Sequence, residues 1–155
     1  MAPLLDYLQG RGHVFTVIPH TQFSSGAQMA RLRGETLATT VVVIANGGPA
    51  VIVIPASRML DLPRVAEAVG DPDARLATDW ELDRRFPDYE PGALPPLSML
   101  LLVPMYVDPA VIERDEIVFA AGRRDISIKM STRDLFGSDP IVIAPLTTES
   151  RVAAT

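Results

Sequence analysis

Few residues of this chain have the types and spacing that catalysis usually requires. The sequence lacks the common signatures of a serine-hydrolase elbow, a zinc-protease helix, a Walker loop and a CxxC pair. It contains no cysteine and only two histidines, which excludes disulfides and thiolate zinc sites. No metal ligand set or cofactor site is indicated. The candidates that remain are a Gly/Pro loop, a threonine pair, one alternating strand and a histidine after a strand.

The loop Gly92–Pro96 is the most suggestive of these candidates. Proline lacks a backbone N–H and fixes φ, so Pro95 and Pro96 hold the backbone rigid and extended. Glycine allows another group to approach the backbone closely. Such a loop could present fixed amides and carbonyls to a ligand, and it could equally be a stiff connection with a turn glycine.

Thr39 and Thr40 begin an apolar run that is typical of a buried strand. Their side chains point to opposite faces of a strand, so one hydroxyl could face a cleft. A threonine alone is a poor nucleophile, and β-propensity explains a threonine at a strand start equally well. His20 follows Pro19 at a predicted strand exit, where it is either a site residue or a surface turn histidine.

Residues 126–130 alternate between apolar and polar side chains, which predicts a strand with two unlike faces. Ser127 and Lys129 share the polar face, which is either solvated or the wall of a pocket. Lys129 is the only lysine of the chain. Arg124, in the basic turn just before this strand, is able to meet a phosphate, although such turns are more often solvated.

The composition is that of one globular domain. Hydrophobic residues make up 48% of the 155 residues and charged residues 21%. A net charge of −5 argues against broad nucleic-acid binding and leaves room for a local basic patch, so no DNA partner is expected. No apolar run approaches the ~18 residues that span a membrane, and a cytoplasmic location is the simplest expectation.

The predicted elements favour an α+β fold with a mixed sheet. Asn46-Gly47-Gly48 predicts a hairpin between strands 39–45 and 50–55. Capping patterns predict helices over 26–33, 61–69 and from Thr78 to Phe86. The remaining predictions are a helix at 3–11, a helical turn at 131–136, and strands at 13–18, 75–77, 99–103, 105–107, 116–120, 126–131 and 141–144.

Taken in order, these segments resemble the YbaK/prolyl-tRNA-synthetase-associated editing domain. Thr39–Val43 is similar to its central strand, and Gly92–Pro96 is similar to its GxxxP loop. The resemblance covers roughly residues 3–136. It implies a mixed, twisted, barrel-like sheet surrounded by short helices, with a single domain at 1–136. Residues 137–155 would form a C-terminal extension, partly an edge strand and then a frayed tail.

The resemblance also implies an activity, that of a trans-acting aminoacyl-tRNA deacylase. Such an enzyme binds the aminoacylated 3′ end of tRNA and hydrolyses the ester of a mischarged, small amino acid, through positioned water, a ribose hydroxyl and backbone groups, without a cofactor. The residues that the resemblance assigns to catalysis are Thr39, Gly92, Pro96 and Ser127, and those assigned to substrate binding are His20, Thr40, Pro95, Arg124 and Lys129.

Two positions depart from the family pattern. Thr39 stands where the family usually carries a lysine, and Arg124 stands where stand-alone members often carry a histidine. Loss of the lysine removes a cation, for which Lys129 is a possible substitute. The alternatives are a binding module of the same fold with weakened chemistry, and a different small-molecule hydrolase. A monomer and a homodimer are both compatible with the predicted edge strands.

Overall fold

The computed structural model describes residues 2–19, 37–90, 92–137 and 140–148. The predicted helix at 26–33 and His20 lie outside the described residues. The helices are α1 Ala2–Gly10, α2 Leu62–Val69, α3 Asp79–Arg85, α4 Ser98–Leu101, α5 Pro109–Ile112 and α6 Thr132–Phe136. The strands are β1 Phe15–Pro19, β2 Ala38–Ala45, β3 Gly48–Pro55, β4 Met59–Leu60, β5 Arg75–Leu76, β6 Met105–Val107, β7 Glu116–Arg123, β8 Ile126–Ser131, β9 Val142–Ile143 and β10 Thr147–Thr148.

The hairpin β2–β3 lies at the centre of the fold, as predicted. Its turn consists of Asn46 at φ 54° and Gly47 at φ 82°, while Gly48 already pairs with Ala45. Two consecutive positive φ values are what a two-residue type I′ turn requires, and asparagine and glycine are the residues that adopt them most readily. The turn therefore fixes the register of all eight residue pairs of the hairpin.

The strands form a mixed, twisted arrangement, which confirms the predicted α+β class. One sheet has the order β5-β2-β3-β6-β9, in which β3, β6 and β9 are parallel and the other pairs antiparallel. A second, antiparallel sheet has the order β1-β8-β7, and β10 pairs with β4. A bridge between Leu37 and Val118 links β2 to β7, so the two larger sheets curve toward one another.

Both faces of the central hairpin are buried, because the two strands carry apolar residues at consecutive positions. Ala38, Val42, Val51 and Val53 pack on one side with α1, β7 and β8. The opposite side packs against α2, where Val65 and Val69 are buried. A one-residue slip of register would exchange these two faces.

The capping signals placed two helices correctly. Asp61 caps α2, and Gly70 ends it in the left-handed conformation at φ 75°. Thr78 and Glu81 form the predicted capping box at the start of α3. Among the described helices, none is long and apolar enough to cross a membrane.

The predicted strand at 99–103 was wrong, because this segment is the short helix α4 followed by a turn. Leu97 is extended, and Leu102 at φ 60° ends the helix after one turn. A short apolar run has no periodicity that distinguishes a strand from a buried helix. Here Pro95 and Pro96 set the chain direction, and the Leu101 N–H then bonds the Leu97 carbonyl.

The segment 140–148 packs onto the sheet and supplies the predicted edge strand, β9. Leu146 is fully buried in the cluster against α2. The buried Asp108 carboxylate accepts hydrogen bonds from the Leu146 N–H at 3.0 Å and the Thr147 hydroxyl at 2.9 Å. The same carboxylate caps α5 through the Ala110 N–H. One buried acid therefore ties this segment to the end of β6, while residues beyond 148 are outside the described part of the chain.

Candidate functional site

A pocket of about 370 Å³ lies where the first half of β2 meets the Gly92 loop. Its volume is at the small end of the range for ligand sites in proteins. Two threonines, one arginine and one aspartate are found among its mostly apolar lining residues. The lining residues are Thr39, Thr40, Val41, Val42, Leu76, Ala77, Asp79, Leu82, Gly92, Leu94 and Arg124.

The backbone edge of β2 forms one wall of this pocket. The strand β5 pairs only with Val43 and Ile44, and the Ala77 N–H adds a bond to the Val42 carbonyl at 2.9 Å. Backbone groups alternate between the two edges of a strand, so the next N–H and C=O on this edge belong to Thr40. They lie beyond the end of the β5 pairing and face the space between α3 and the Gly92 loop.

The Gly92 loop is anchored to both sheets by hydrogen bonds. The Thr40 hydroxyl donates to the Leu94 carbonyl, and both residues are buried. On the other side, the Gly122 N–H donates to the Ala93 carbonyl at 2.8 Å, and the Glu90 N–H donates to the Gly122 carbonyl at 2.9 Å. The loop backbone is therefore held in place before any ligand arrives.

Gly92 combines a left-handed backbone with open space. Its φ is +82°, which side-chain-bearing residues rarely adopt, and a Cβ built there would meet no atom within 4 Å. The space in front of Gly92 is that of the pocket, since the residue is exposed and lines it. A ligand can approach the backbone here more closely than at a residue that carries a β-carbon.

Arg124 places a positive charge on the pocket wall. The turn that carries it is stabilised by the two neighbours of Arg124: the Arg123 guanidinium donates to the Asp125 carboxylate at 3.0 and 2.9 Å. This pair raises the pKa of Arg123. The carboxylate among the described lining residues is that of Asp79, so the pocket presents one charge of each sign.

The start of α3 positions Asp79 and Leu82. The Arg75 guanidinium donates to both oxygens of Glu81 at 2.8 and 2.9 Å, and the Thr78 N–H donates to the same carboxylate. These bonds lower the pKa of Glu81 to about 2, with the Arg75 side chain as the largest cause. A helix start fixed by a capping box and a bidentate ion pair gives the pocket a defined rim.

The predicted site residues divide into four groups. Thr39, Thr40, Gly92 and Arg124 line the pocket together. Pro95 and Pro96 form the buried end of the loop Gly92–Pro96, where the Pro95 carbonyl accepts from the Leu97 N–H. His20 lies outside the described residues.

Ser127 and Lys129 are located elsewhere, on β8. Ser127 is buried between its strand partners Ile18 and Ala120 and is not among the residues that line the pocket. The Lys129 ammonium lies 3.6 Å from the Glu116 carboxylate on β7. The cation on the described pocket wall is Arg124, and the geometry gives no support to Lys129 as a replacement for the family's lysine.

Sequence reasoning missed the α3 side of the pocket, which consists of Leu76, Ala77, Asp79 and Leu82. These residues carried a correct structural signal, because Thr78 and Glu81 form a capping box. What the sequence lacks is any sign that this helix start faces the Gly92 loop.

Comparison with known proteins gives a consistent result. Residues 20–137 match the model of the aminoacyl-tRNA editing domain family. The chain is 30% identical over 139 residues to the multifunctional Ser/Thr-tRNA deacylase ProXp-y of Escherichia coli K12, covering 84% of this chain and 83% of that protein. It is 26% identical over 117 residues to EbsC of Enterococcus faecalis, a candidate Cys-tRNA(Pro)/Cys-tRNA(Cys) deacylase, covering 76% and 71% of the two chains.

Solved structures share the fold at lower sequence identity. The hypothetical protein APE2540 superposes with a TM-score of 0.83 at 23% identity, covering 94% of this chain and 99% of that one. A candidate trans-editing enzyme for prolyl-tRNA synthetase superposes with a TM-score of 0.78 at 20% identity, covering 96% and 97%. These likenesses concern the architecture described above.

Proposed function

This chain belongs to the aminoacyl-tRNA editing domain family, and on that premise we propose that it is a trans-acting deacylase of mischarged tRNA. Its substrate is the ester that joins a small amino acid to the 3′-terminal ribose. A cytoplasmic location is part of the proposal, because charged tRNA is made there.

One observation carries the proposal. Thr39, Gly92 and Arg124 are far apart in sequence and line one pocket, with the Gly92 loop fixed by the Thr40 hydroxyl. The pocket supplies backbone donors, open space before a glycine and one guanidinium, and its other walls are mostly apolar. This combination suits an ester with a small side chain better than it suits a polyanion.

The reaction needs little from side chains. A water molecule attacks the ester carbonyl carbon, the bond from that carbon to the ribose oxygen breaks, and a proton returns to the ribose oxygen. The developing oxyanion requires donors that are already in place. The Thr40 N–H at the open edge of β2 and the Arg124 guanidinium are the groups on the pocket wall that can serve it, and Gly92 leaves room for the ester.

The volume limits the substrate. About 370 Å³ must hold the amino acid and part of the terminal ribose, which favours a small side chain. Leu76, Leu82 and Leu94 make the lining mostly apolar. Small amino acids therefore fit the lining best.

A binding module with weakened chemistry is the second candidate, and Thr39 is the observation that favours it. At this position the family usually carries a lysine, and threonine supplies neither its charge nor its reach. A lysine at position 39 would stand on a half-buried strand, where burial lowers its pKa. Only an assay of hydrolysis separates the two candidates.

The decisive experiment is single-turnover deacylation of a panel of mischarged tRNAs. We expect wild type to hydrolyse esters of small amino acids, Thr39→Lys to be faster, and Gly92→Val to be inactive. Gly12→Val is the matched control, because Gly12 has φ +73° and open space but does not line the pocket. If wild type and Thr39→Lys both equal the buffer blank while the fold is intact, the deacylase proposal fails and the binding module remains.

A further inference from the structure

The first turn of α3 carries an exposed aromatic residue beside the pocket. Trp80 is 66% exposed and is the only tryptophan of the chain. It directly follows Asp79, which lines the pocket, and successive helix positions are about 100° apart, so Trp80 stands on the outer side of the rim. Leu76, which also lines the pocket, is 51% exposed.

An arginine holds the indole in place. The Arg84 guanidinium carbon lies 4.7 Å from the centroid of the Trp80 ring, four residues away on the same helix face. Arg85 follows in the same last turn and is exposed. The outer side of α3 therefore presents a flat ring with two arginines beside it and one exposed carboxylate, that of Asp83, within a protein of net charge −5.

From these contacts we infer that Trp80 and Arg84 form a stacking platform for the unpaired bases next to the 3′-terminal nucleotide of the tRNA. This inference rests on the proposed function, since it concerns the nucleotides that leave the same pocket. Base stacking on aromatic rings tolerates any base, and the cations beside the ring meet the phosphates. A net charge of −5 gives little overall attraction for RNA, so stacking supplies an important part of the affinity.

The platform also explains the exposure of Trp80. An aromatic ring that stacks a base has to stand open to solvent in the free protein, as Trp80 does. The rigid start of α3, fixed by the Arg75–Glu81 pair and the capping box, keeps the ring oriented without a ligand. A second copy of the chain is the alternative occupant of the Trp80 surface.

The sole tryptophan makes the test direct. Intrinsic fluorescence of the wild-type protein is titrated with a short single-stranded RNA ending in CCA, and in parallel with a blunt-ended RNA duplex. We expect saturable quenching by the single strand and little by the duplex, which offers no unpaired base. Equal responses to both RNAs, or none to the single strand, would overturn the inference. A fluorescence change on raising the protein concentration alone would assign the surface to a second copy instead and would also overturn it.

Binding of a fluorescein-labelled copy of the same RNA, followed by anisotropy, then tests the residues. Trp80→Ala should raise the dissociation constant by about 5-fold or more, the loss that follows removal of one base–aromatic stack. Trp80→Phe should retain part of the affinity. Arg84→Ala should weaken binding, while Arg11→Ala, which removes an arginine placed 5.4 Å over the Tyr7 ring on α1, should not.

Kinetics separate this inference from the proposed function. In deacylation, Trp80→Ala should raise KM and leave kcat nearly unchanged, because the platform binds nucleotides away from the ester. A wild type that deacylates with a KM unaffected by Trp80→Ala refutes the platform alone. A wild type without deacylation refutes the proposed function, and the fluorescence titration still decides the platform.

Discussion

Replacing Thr40 by valine tests whether the Gly92 loop must be held by side-chain contact. Valine has nearly the shape of threonine, so the change removes one hydroxyl and little else. The Leu94 carbonyl then loses its donor at a buried position, since Leu94 is 2% and Thr40 7% exposed. The perturbation therefore isolates one buried hydrogen bond at the base of the proposed site.

The burial of this hydrogen bond determines how much stability and activity the change should cost. A buried carbonyl left without a partner costs about 1–3 kcal/mol, so the free energy of unfolding should fall by that amount. If the loop shifts to find another donor, the transition state loses preorganised contacts, and a loss of ~1.4 kcal/mol corresponds to about tenfold in kcat. Thr40→Ser keeps the hydroxyl and should retain most of the activity while losing about 0.8 kcal/mol of methyl burial.

Urea denaturation followed by circular dichroism and single-turnover deacylation measure the two effects. Thr16→Val is the matched control, because Thr16 is an exposed strand threonine on β1 and should change stability by less than about 0.5 kcal/mol. A Thr40→Val protein with wild-type stability and wild-type kcat would refute the reasoning. Equal damage from the serine and valine variants would point to packing rather than to the hydrogen bond.

Three further predictions concern other parts of the molecule. Arg124→Gln should lower kcat about tenfold or more, with Arg124→Lys intermediate, in the same deacylation assay; an unchanged kcat would remove Arg124 from the site. Leu146→Ala should reduce the free energy of unfolding by about 2–5 kcal/mol in urea, whereas Leu102→Ala, at an 82% exposed position, should hardly change it. Glu81, with a pKa of about 2 against an ordinary 4.5, should stabilise α3 fully above pH 4.5 and lose this effect as the pH falls toward 2. Tryptophan fluorescence should report that acid transition in the wild type and not in Glu81→Gln, whose side chain cannot ionise. The same transition in both proteins would contradict the assignment to Glu81.

The elements that the sequence predicted well are those specified by local backbone chemistry. Asn46-Gly47 is compatible with few conformations other than a type I′ turn, and this turn alone sets the hairpin register. Asp61, Gly70 and the Thr78–Glu81 pair mark helix ends through hydrogen bonds that local sequence makes possible. The run 99–103 has no such marker, and tertiary packing decided its conformation.

The site was only partly predictable for a different reason. Thr39, Gly92 and Arg124 were predicted through family resemblance, and they line one pocket. The α3 wall could not be predicted, because its place depends on β5 pairing with β2 for only two residues. Ser127 shows what an alternating sequence pattern cannot predict. The pattern identifies which residues share a face of a strand, but not which part of the protein packs against that face. On β8 it meets neighbouring strands.

Within the described part of the chain, β5 stops short of Thr40, and this edge of β2 has a consequence for how the site varies between proteins. Its donors at Thr40 are main-chain atoms, which every residue except proline supplies, so substitutions that keep the strand also keep this part of the wall. Side chains along the edge are then free to diverge, as threonine in place of lysine at position 39 illustrates. Alanine scanning would register little of this contribution, because it leaves the amide untouched. Replacing the amide by an ester in a semisynthetic protein would measure it directly.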